Sequence, residues 1–596
     1  MNQETKQCQN CKSNFTIEPE DVRFYERINV PSPTFCPDCR AAMRMVWRNE
    51  HTYYHRKCNA PKHTESIISL FPPEAPYNVY DQQYWWSDDW DALSYGKEYD
   101  FQKPFFEQYR ELLSRVPLIS LSNTGSVNSD YCSSAAWNKD CYLVSGSGWD
   151  ERVSYANRAI KNKDSMDLYI VNDSELCYDD MYCASCYEVL HSQSCEGCSS
   201  SAFLYNCRNC RNCFGCANLR GAGYCIWNKQ YSKEEYESKI KELNLGSREA
   251  LAGIKKKFYE EIYLKAIHKY GDIVNCTNST GDHLKNTKNC RDCFDFGGDN
   301  AENCRFVNWS GFNTKDLYDT GPGAGWGSEL LYQGVDINDS SRIIGGITVY
   351  NSSDAYYVIQ NHASNNVFGC YGMRNKQFCI LNKQYTKEEY EELLPKIKKH
   401  MVDMPYIDGA GRKYFFGDFF PPDLAIFPYN DTVAQEYLPK DKGSSVGSGF
   451  RWRDPDAKSY SITIRQQDVP DQIMLVSDSI LQEVIECEHK GLCADQCSTA
   501  FKIIPQELQL YKQLNIPIPT LCPNCRHYER LKKRTPMKLW SRKCECTGAR
   551  SENGIYQNTA AHQHGAGPCQ NEFQTSYSPD RPEIVYCESC YQAEIV

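Results

Sequence analysis

Between residues 132 and 216 a small apolar residue followed by an aromatic one returns at multiples of nine: Cys141-Tyr142, Leu168-Tyr169, Cys177-Tyr178, Cys186-Tyr187, Leu204-Tyr205 and Cys213-Phe214. A period near nine does not fit an amphipathic helix and is too short for an independently folding repeat. It fits short strands stacked coil upon coil, in which equivalent positions form inward ladders. Asn, Asp, Ser and Gly between the pairs supply the turns. The pattern predicts a parallel β-solenoid, and a second array follows from about 273, carrying "NCRDCFDF", "NCRFVNW", "KDLYDTG" and "NNVFGC".

Both arrays end alike. "NCFGCANLRGAGYCIWNKQYSKEEYE" returns at an offset of 154 as "NVFGCYGMRNKQFCILNKQYTKEEYE". Each ending holds a capping box, Ser232-Lys-Glu-Glu235 and Thr386-Lys-Glu-Glu389, so a helix should start at each. Tyr236, Ile240 and Leu243 share one face, as do Tyr390, Leu393 and Ile397. Such helices would close an open sheet edge that otherwise invites aggregation.

Outside the arrays the chain repeats itself. A gapless shift of 486 positions sets Cys11 on Cys497, Phe15 on Phe501, Cys36 on Cys522, Cys39 on Cys525 and Cys58 on Cys544. Arg40 and Arg44 recur as Arg526 and Arg530. Cys8-x2-Cys11 with Cys36-x2-Cys39 has the paired spacing of two knuckles that pinch one tetrahedral Zn2+. The second copy offers Cys493-x3-Cys497 with Cys522-x2-Cys525. A candidate third site joins Cys569, Cys587 and Cys590 to His564, with His562, Cys544 or Cys546 as alternative ligands. Cys487 with His489 could add a further half-site. "LFPPEAPYNVYDQQYW" tracks "SYSPDRPEIVYCESCY", with Asp81 and Tyr84 in the places of Cys587 and Cys590, and that copy is expected to bind no metal.

The run from Cys8 through "FTIEPEDVRFYERINVPSPTFCPDCR" resembles the probable zinc-ribbon family of small bacterial proteins: a CxxC, a Phe four residues later, an aromatic near "FY", then Pro and "CxxCR". The resemblance covers about 35 residues at each end and implies a structural zinc knuckle, not a reaction. The whole layout also resembles large bacterial zinc-ribbon proteins sometimes labelled CaiB/BaiF, although no residue pattern supports that CoA-transferase name.

The fold class expected is mainly β: two parallel β-solenoid repeat arrays with capping helices, flanked by duplicated zinc-ribbon domains. In chain order this gives a zinc ribbon at 1–60, an aromatic-rich connector with a degenerate ribbon at 61–125, the first array at 126–231, a helical cap and linker at 232–272 and the second array at 273–385. A helical cap and connector at 386–486, a second ribbon at 487–546 and a third zinc-binding module at 547–596 complete it.

Composition narrows the chemistry. Of 33 cysteines in 596 residues, 15 lie before residue 60 or after 486, mostly in metal-like spacing, and the rest fall in the arrays. No window approaches the roughly 18 apolar residues of a membrane span, and "MNQETKQCQN" has neither the basic nor the apolar region of a secretion signal, so no membrane partner and a reducing cytoplasmic compartment are expected. Cys207, Cys210, Cys213 and Cys216 run like the start of a ferredoxin, but the second array has Asn361, Ser364 and Val367 in place of the first three, which favours packed thiols over a cluster.

The net charge of −11 disfavours a polyanionic partner overall. Locally, though, Arg526 to Lys543 holds eight Lys or Arg against one Glu, so Arg526, Arg530, Lys532, Lys533 and Arg534 are candidate nucleic-acid or ribosome contacts. A carbohydrate-active enzyme would need clustered carboxylates on an array face, with Asp167, Asp179 and Asp180 as candidates. No P-loop, HExxH or nucleophile elbow is present. "YWWSDDWD" and "PFFEQY" fit core packing better than a ligand groove. The chain reads as a non-enzymatic binding or scaffolding protein whose partner is an unidentified macromolecule, a protein by preference.

Overall fold

The computed structural model of the protein describes residues 3–454, 460–548, 558, 560–565 and 567–596. The chain divides into two compact units. One comprises the chain up to Leu121, Gly271–Asp454 and Met537–Leu539; the other comprises Ser122–Tyr270, Pro455–Pro536 and Trp540–Val596. The N-terminal Cys-rich segment thus shares a unit with the second array, and the C-terminal one with the first.

In the first array, parallel strands step forward by twelve residues, not nine. Tyr142 pairs with Ser154, Glu151 with Lys163, Tyr187 with Ser199, Ser199 with Arg211, and Arg211 with Gly223. Single bridges such as Lys163 to Glu175 and Glu175 to Tyr187 carry the ladder between the longer strands. The apolar interior falls on every third residue, from Cys132 through Val144, Val153, Cys177 and Cys195 to Cys225. The residue before each inward one commonly takes a left-handed conformation, as at Asp140, Asp167, Asp173, Asp179 and Asn209, with φ between 49° and 60°. Asp and Asn tolerate that region better than other non-glycine residues. Four such triplets make one twelve-residue step.

The nine-residue spacing seen in the sequence is three of these triplets, and it has a physical correlate across the interior. The Cys177 thiol donates to the carbonyls of Glu175 (3.6 Å) and Cys186 (3.9 Å), and the Cys198 thiol to those of Glu196 (3.6 Å) and Cys207 (3.5 Å). Small side chains suit so narrow an interior, and these thiols behave as small apolar residues with a weak donor. Inward polar residues are satisfied by the next strand. Ser165 accepts from the Cys177 N–H at 3.0 Å, and Asp150 from the Asn162 N–H at 2.7 Å.

The second array starts irregularly and then becomes uniform. Phe294 pairs with Asn308 and Lys315 with Glu329, fourteen residues on, whereas Ser341, Ser353, Asn365 and Gln377 follow one another at twelve. A serine column runs through its interior: Ser328, Ser340 and Ser352 each accept the backbone N–H of the serine one step later, at 3.1, 3.1 and 3.2 Å. Ser364 closes the column by accepting from Lys376 at 3.0 Å.

Each array ends in a short antiparallel strand and a capped helix. Cys225 pairs with Gln230 before the helix Lys233–Glu242, and Cys379 with Gln384 before Lys387–Asp403. Ser232 and Thr386 each accept an N–H from the glutamate three residues on, at 3.2 Å, and both glutamates reach back. Of the aromatic segments, Trp85, Trp90, Phe105 and Phe106 are buried in the core of the first unit, and Trp86 is exposed.

Candidate metal centres

The first centre is built on a hairpin and a helix start. Strands Glu4–Gln7 and Asn14–Ile17 pair antiparallel, Cys8 follows the first strand, and its N–H donates to Ser13 O at 2.9 Å. Cys36 is the N-cap of the helix Pro37–Met45, whose first turn also carries Cys39. The four sulfurs of Cys8, Cys11, Cys36 and Cys39 lie within 4.8 Å of one another, and Asn10 Nδ2 donates to Cys39 Sγ at 3.3 Å. This set can hold a metal ion.

The second centre repeats that construction with one change of ligand. Strands Ile485–Glu486 and Ala500–Phe501 pair antiparallel, Cys487 follows the first, and its N–H donates to Thr499 O at 2.8 Å. Cys522 caps the helix Pro523–Lys532 and donates its own N–H to Cys487 Sγ at 3.3 Å. The sulfurs that converge are those of Cys487, Cys497, Cys522 and Cys525. Cys493, the first ligand expected from spacing, belongs to a neighbouring group with His489, Asp495 and Cys525. Cys487 and Cys497 are ten positions apart where Cys8 and Cys11 are three apart. A turn seven residues longer therefore breaks the gapless repeat just before Cys497 and hides the true counterpart of Cys8.

The third centre follows the same rule. Strands Trp540–Lys543 and Glu572–Thr575 pair antiparallel, Cys544 follows the first, and its N–H donates to Asn571 O at 2.9 Å. Cys587 caps the helix Glu588–Ile595 and donates its N–H to Cys544 Sγ at 3.2 Å. Cys544, Cys569, Cys587 and Cys590 form a four-sulfur set, while His564 sits in an adjacent one with Cys546, His562 and Cys590. In all three modules the first cysteine donates its N–H to the carbonyl two residues beyond the second cysteine. That backbone contact is what sequence spacing missed.

The degenerate copy has the same frame. Cys58 follows strand Tyr54–Lys57 and donates its N–H to Glu65 O at 3.2 Å, and the Asp81 N–H donates to Cys58 Sγ at 3.2 Å. Where the other modules place a knuckle cysteine, Asp81 caps the helix Gln82–Trp86 by accepting from Gln83 and Tyr84.

The basic residues that trail the knuckles are turned inward. Arg40 Nε lies 2.9 Å and Arg44 Nη1 3.1 Å from the Asp319 carboxylate, all buried. Arg526 Nε and Arg530 Nη1 lie 2.9 and 3.0 Å from Asp167, also buried. Burial works against the charge at Arg40, but Asp319 outweighs it and raises Arg40 above its ordinary value; the second guanidinium gains less and burial lowers Arg44 to about 10. Arg526 is likewise raised against burial, chiefly by Asp167.

Arg526 and Arg530 therefore do not face solvent as the nucleic-acid expectation required. Lys532 is held by Asp495 and Glu529 at 2.9 and 2.8 Å, Arg534 donates to the Tyr169 hydroxyl at 3.1 Å, and Lys533 is exposed. The carboxylates considered for sugar chemistry are engaged within the fold: Asp167 and Asp179 both lie against Arg530 Nη1, at 3.0 and 3.5 Å. Asp167 is paired with the arginines, Asp179 accepts from His191 at 2.8 Å, and Asp180 points inward, where burial holds its carboxyl well above the usual range.

No protein-family model matches the chain, and no curated protein matches it.

Proposed function

We propose that this chain is a zinc-stabilised, non-enzymatic binding or scaffolding protein, in which two β-solenoid arrays present a repeat-built surface and zinc ribbons brace their flanks. The observation that carries the reading is the recurrence of one docking device. A ribbon helix that starts at the metal knuckle (Cys36 or Cys522) buries two arginines against one array aspartate (Asp319 or Asp167). Metal, ribbon and array then form one mechanical unit in each half of the chain.

Zinc suits these sets because it accepts four thiolates tetrahedrally without a redox change. Four protein ligands at each set leave no position for the water that a catalytic zinc would carry, which supports a structural role. The exposed pair Trp137 and Trp149, one twelve-residue step apart and stacked at 4.7 Å, gives the array a flat apolar place for a partner. Metal analysis of protein made with zinc under reducing conditions tests the reading: well under two ions per chain would sink it. Affinity capture with the intact chain and with Trp137→Ala/Trp149→Ala then tests the surface, since a partner retained equally by both places binding elsewhere.

A further inference from the structure

The two C-terminal modules carry more ligands than one metal ion can use. In the third module Cys546 Sγ lies 3.4 Å from His562 Nδ1 and 3.5 Å from His564 Nε2. The two histidine nitrogens are 3.2 Å apart, and Cys590 Sγ is 3.3 Å from His564 Nε2. Donors around a tetrahedral zinc, at its usual bond lengths, are separated by about 3.3–3.8 Å. With Nδ1 as the ligand, His562 Nε2–H donates to Glu594 at 2.7 Å, the carboxylate support that ligating histidines commonly have. This Cys2His2 set shares Cys590 with the tetrathiolate set beside it.

The second ribbon is arranged in the same way. His489, Cys493, Asp495 and Cys525 bring one donor atom each within 4.8 Å of one another, sharing Cys525 with the tetrathiolate set. Cys493 Sγ is 3.7 Å from Cys525 Sγ, and His489 Nδ1 is buried with no hydrogen-bond partner among the described residues. Asp495 is buried and its charge is offset by Lys532 at 2.9 Å.

The correspondence is positional. In both modules the extra set takes the residue two beyond the first cysteine (His489, Cys546), two residues from the long turn (Cys493 and Asp495, His562 and His564) and the last knuckle cysteine (Cys525, Cys590). The first ribbon has the short turn and no such residues. There the position two beyond Cys8 is Asn10, and its amide donates to Cys39, the last knuckle cysteine. A neutral hydrogen bond stands where the other modules bring up a second set of ligands.

We infer that the second ribbon and the third module each hold a thiolate-bridged pair of zinc ions, with Cys525 and Cys590 as the bridges, while the first ribbon holds a single ion. The inference rests on the tetrathiolate sets being zinc sites. Native mass spectrometry of the full chain, loaded with zinc under reducing conditions, separates the two ideas. About five ions per chain, one for each donor set described, supports the pairs; three overturns them and leaves the tetrathiolate sites standing; fewer than two removes the basis of both.

His562→Ala/His564→Ala and, separately, His489→Ala/Asp495→Ala should each lose one ion. A count of four, with a loss in only one of these variants, overturns the pair in the other module. Cadmium NMR of the wild-type chain provides a check that needs no variant to fold. Metal–metal coupling through a shared thiolate is expected, and isolated resonances alone would contradict the bridges.

Discussion

Arg40 meets Asp319 at 2.9 Å with both side chains buried, and the same contact recurs 486 residues later as Arg526 on Asp167, also at 2.9 Å. Both aspartates occupy the left-handed position of an array triplet, with φ of 52° and 60°. A duplicated ribbon thus reads a duplicated place on each array.

Removing Asp319 leaves two guanidiniums in the interior without the carboxylate that balances them, whereas removing Arg40 leaves Asp319 still paired with Arg44 at 3.1 Å. Asp319→Ala should therefore cost about 3–5 kcal/mol of stability and Arg40→Ala less, each read as a shift in the denaturant midpoint of the first unit. Replacing both should cost less than the two single losses together. Additive costs in the double-mutant cycle would show that the contact carries no coupling.

The serine column makes a more local prediction. Ser352→Ala removes the acceptor of the Ser364 N–H, which lies in the interior, and should destabilise by about 1–3 kcal/mol. Ser352→Thr keeps the hydroxyl and should cost less unless its added methyl overpacks the interior. Hydrogen exchange at Ser364 checks the mechanism, because its amide should lose protection in the alanine variant ahead of its neighbours.

Asp150 gives stability a pH dependence. Burial pushes its carboxyl up to about 8, partly offset by the Asn162 N–H. In the unfolded chain an aspartate ionises near pH 4. Between about pH 4 and pH 8 the folded state therefore keeps a proton that the unfolded state releases, and stability falls as pH rises through that window. Asp150→Asn, which retains an acceptor for Asn162, should flatten the dependence, so that thermal midpoints of variant and parent diverge most near pH 8. Parallel pH profiles would rule Asp150 out as the source.

The array thiols should be inert while folded. Burial raises Cys177 well above an ordinary thiol, and its hydrogen is already donated to carbonyls. Alkylation of Cys177 should therefore track global unfolding, increasing with denaturant along the same curve as circular dichroism. Modification well before that transition would mean that the interior opens locally.

How much could be read in advance followed how local each signal was. Cys36-x2-Cys39 and the capping boxes are complete within a few residues, so spacing alone located them. Cys487 was obscured because a longer turn moves it seven positions out of the repeat, and its role depends on a hairpin contact with Thr499. The aromatic pairs displayed a nine-residue interval, while the ladder that binds the strands runs at twelve; only their common factor of three marks the inward face. Arg526 and Arg530 looked like a basic surface because sequence shows the charges of one segment and not the aspartate, more than 350 residues away, that covers them.

The inward face recurring at every third residue also gives each array a frame, in the sense that a message read in triplets has one. A single residue inserted before Leu176 would bring Leu176, Asp179, Tyr182 and Glu188 into the column now filled by thiols and valines, burying two carboxylates. Twelve residues added or removed together would shift nothing else. Length in such a molecule is therefore free to change by whole steps while its phase is held fixed, and the fourteen-residue steps at the start of the second array mark where that phase was reset.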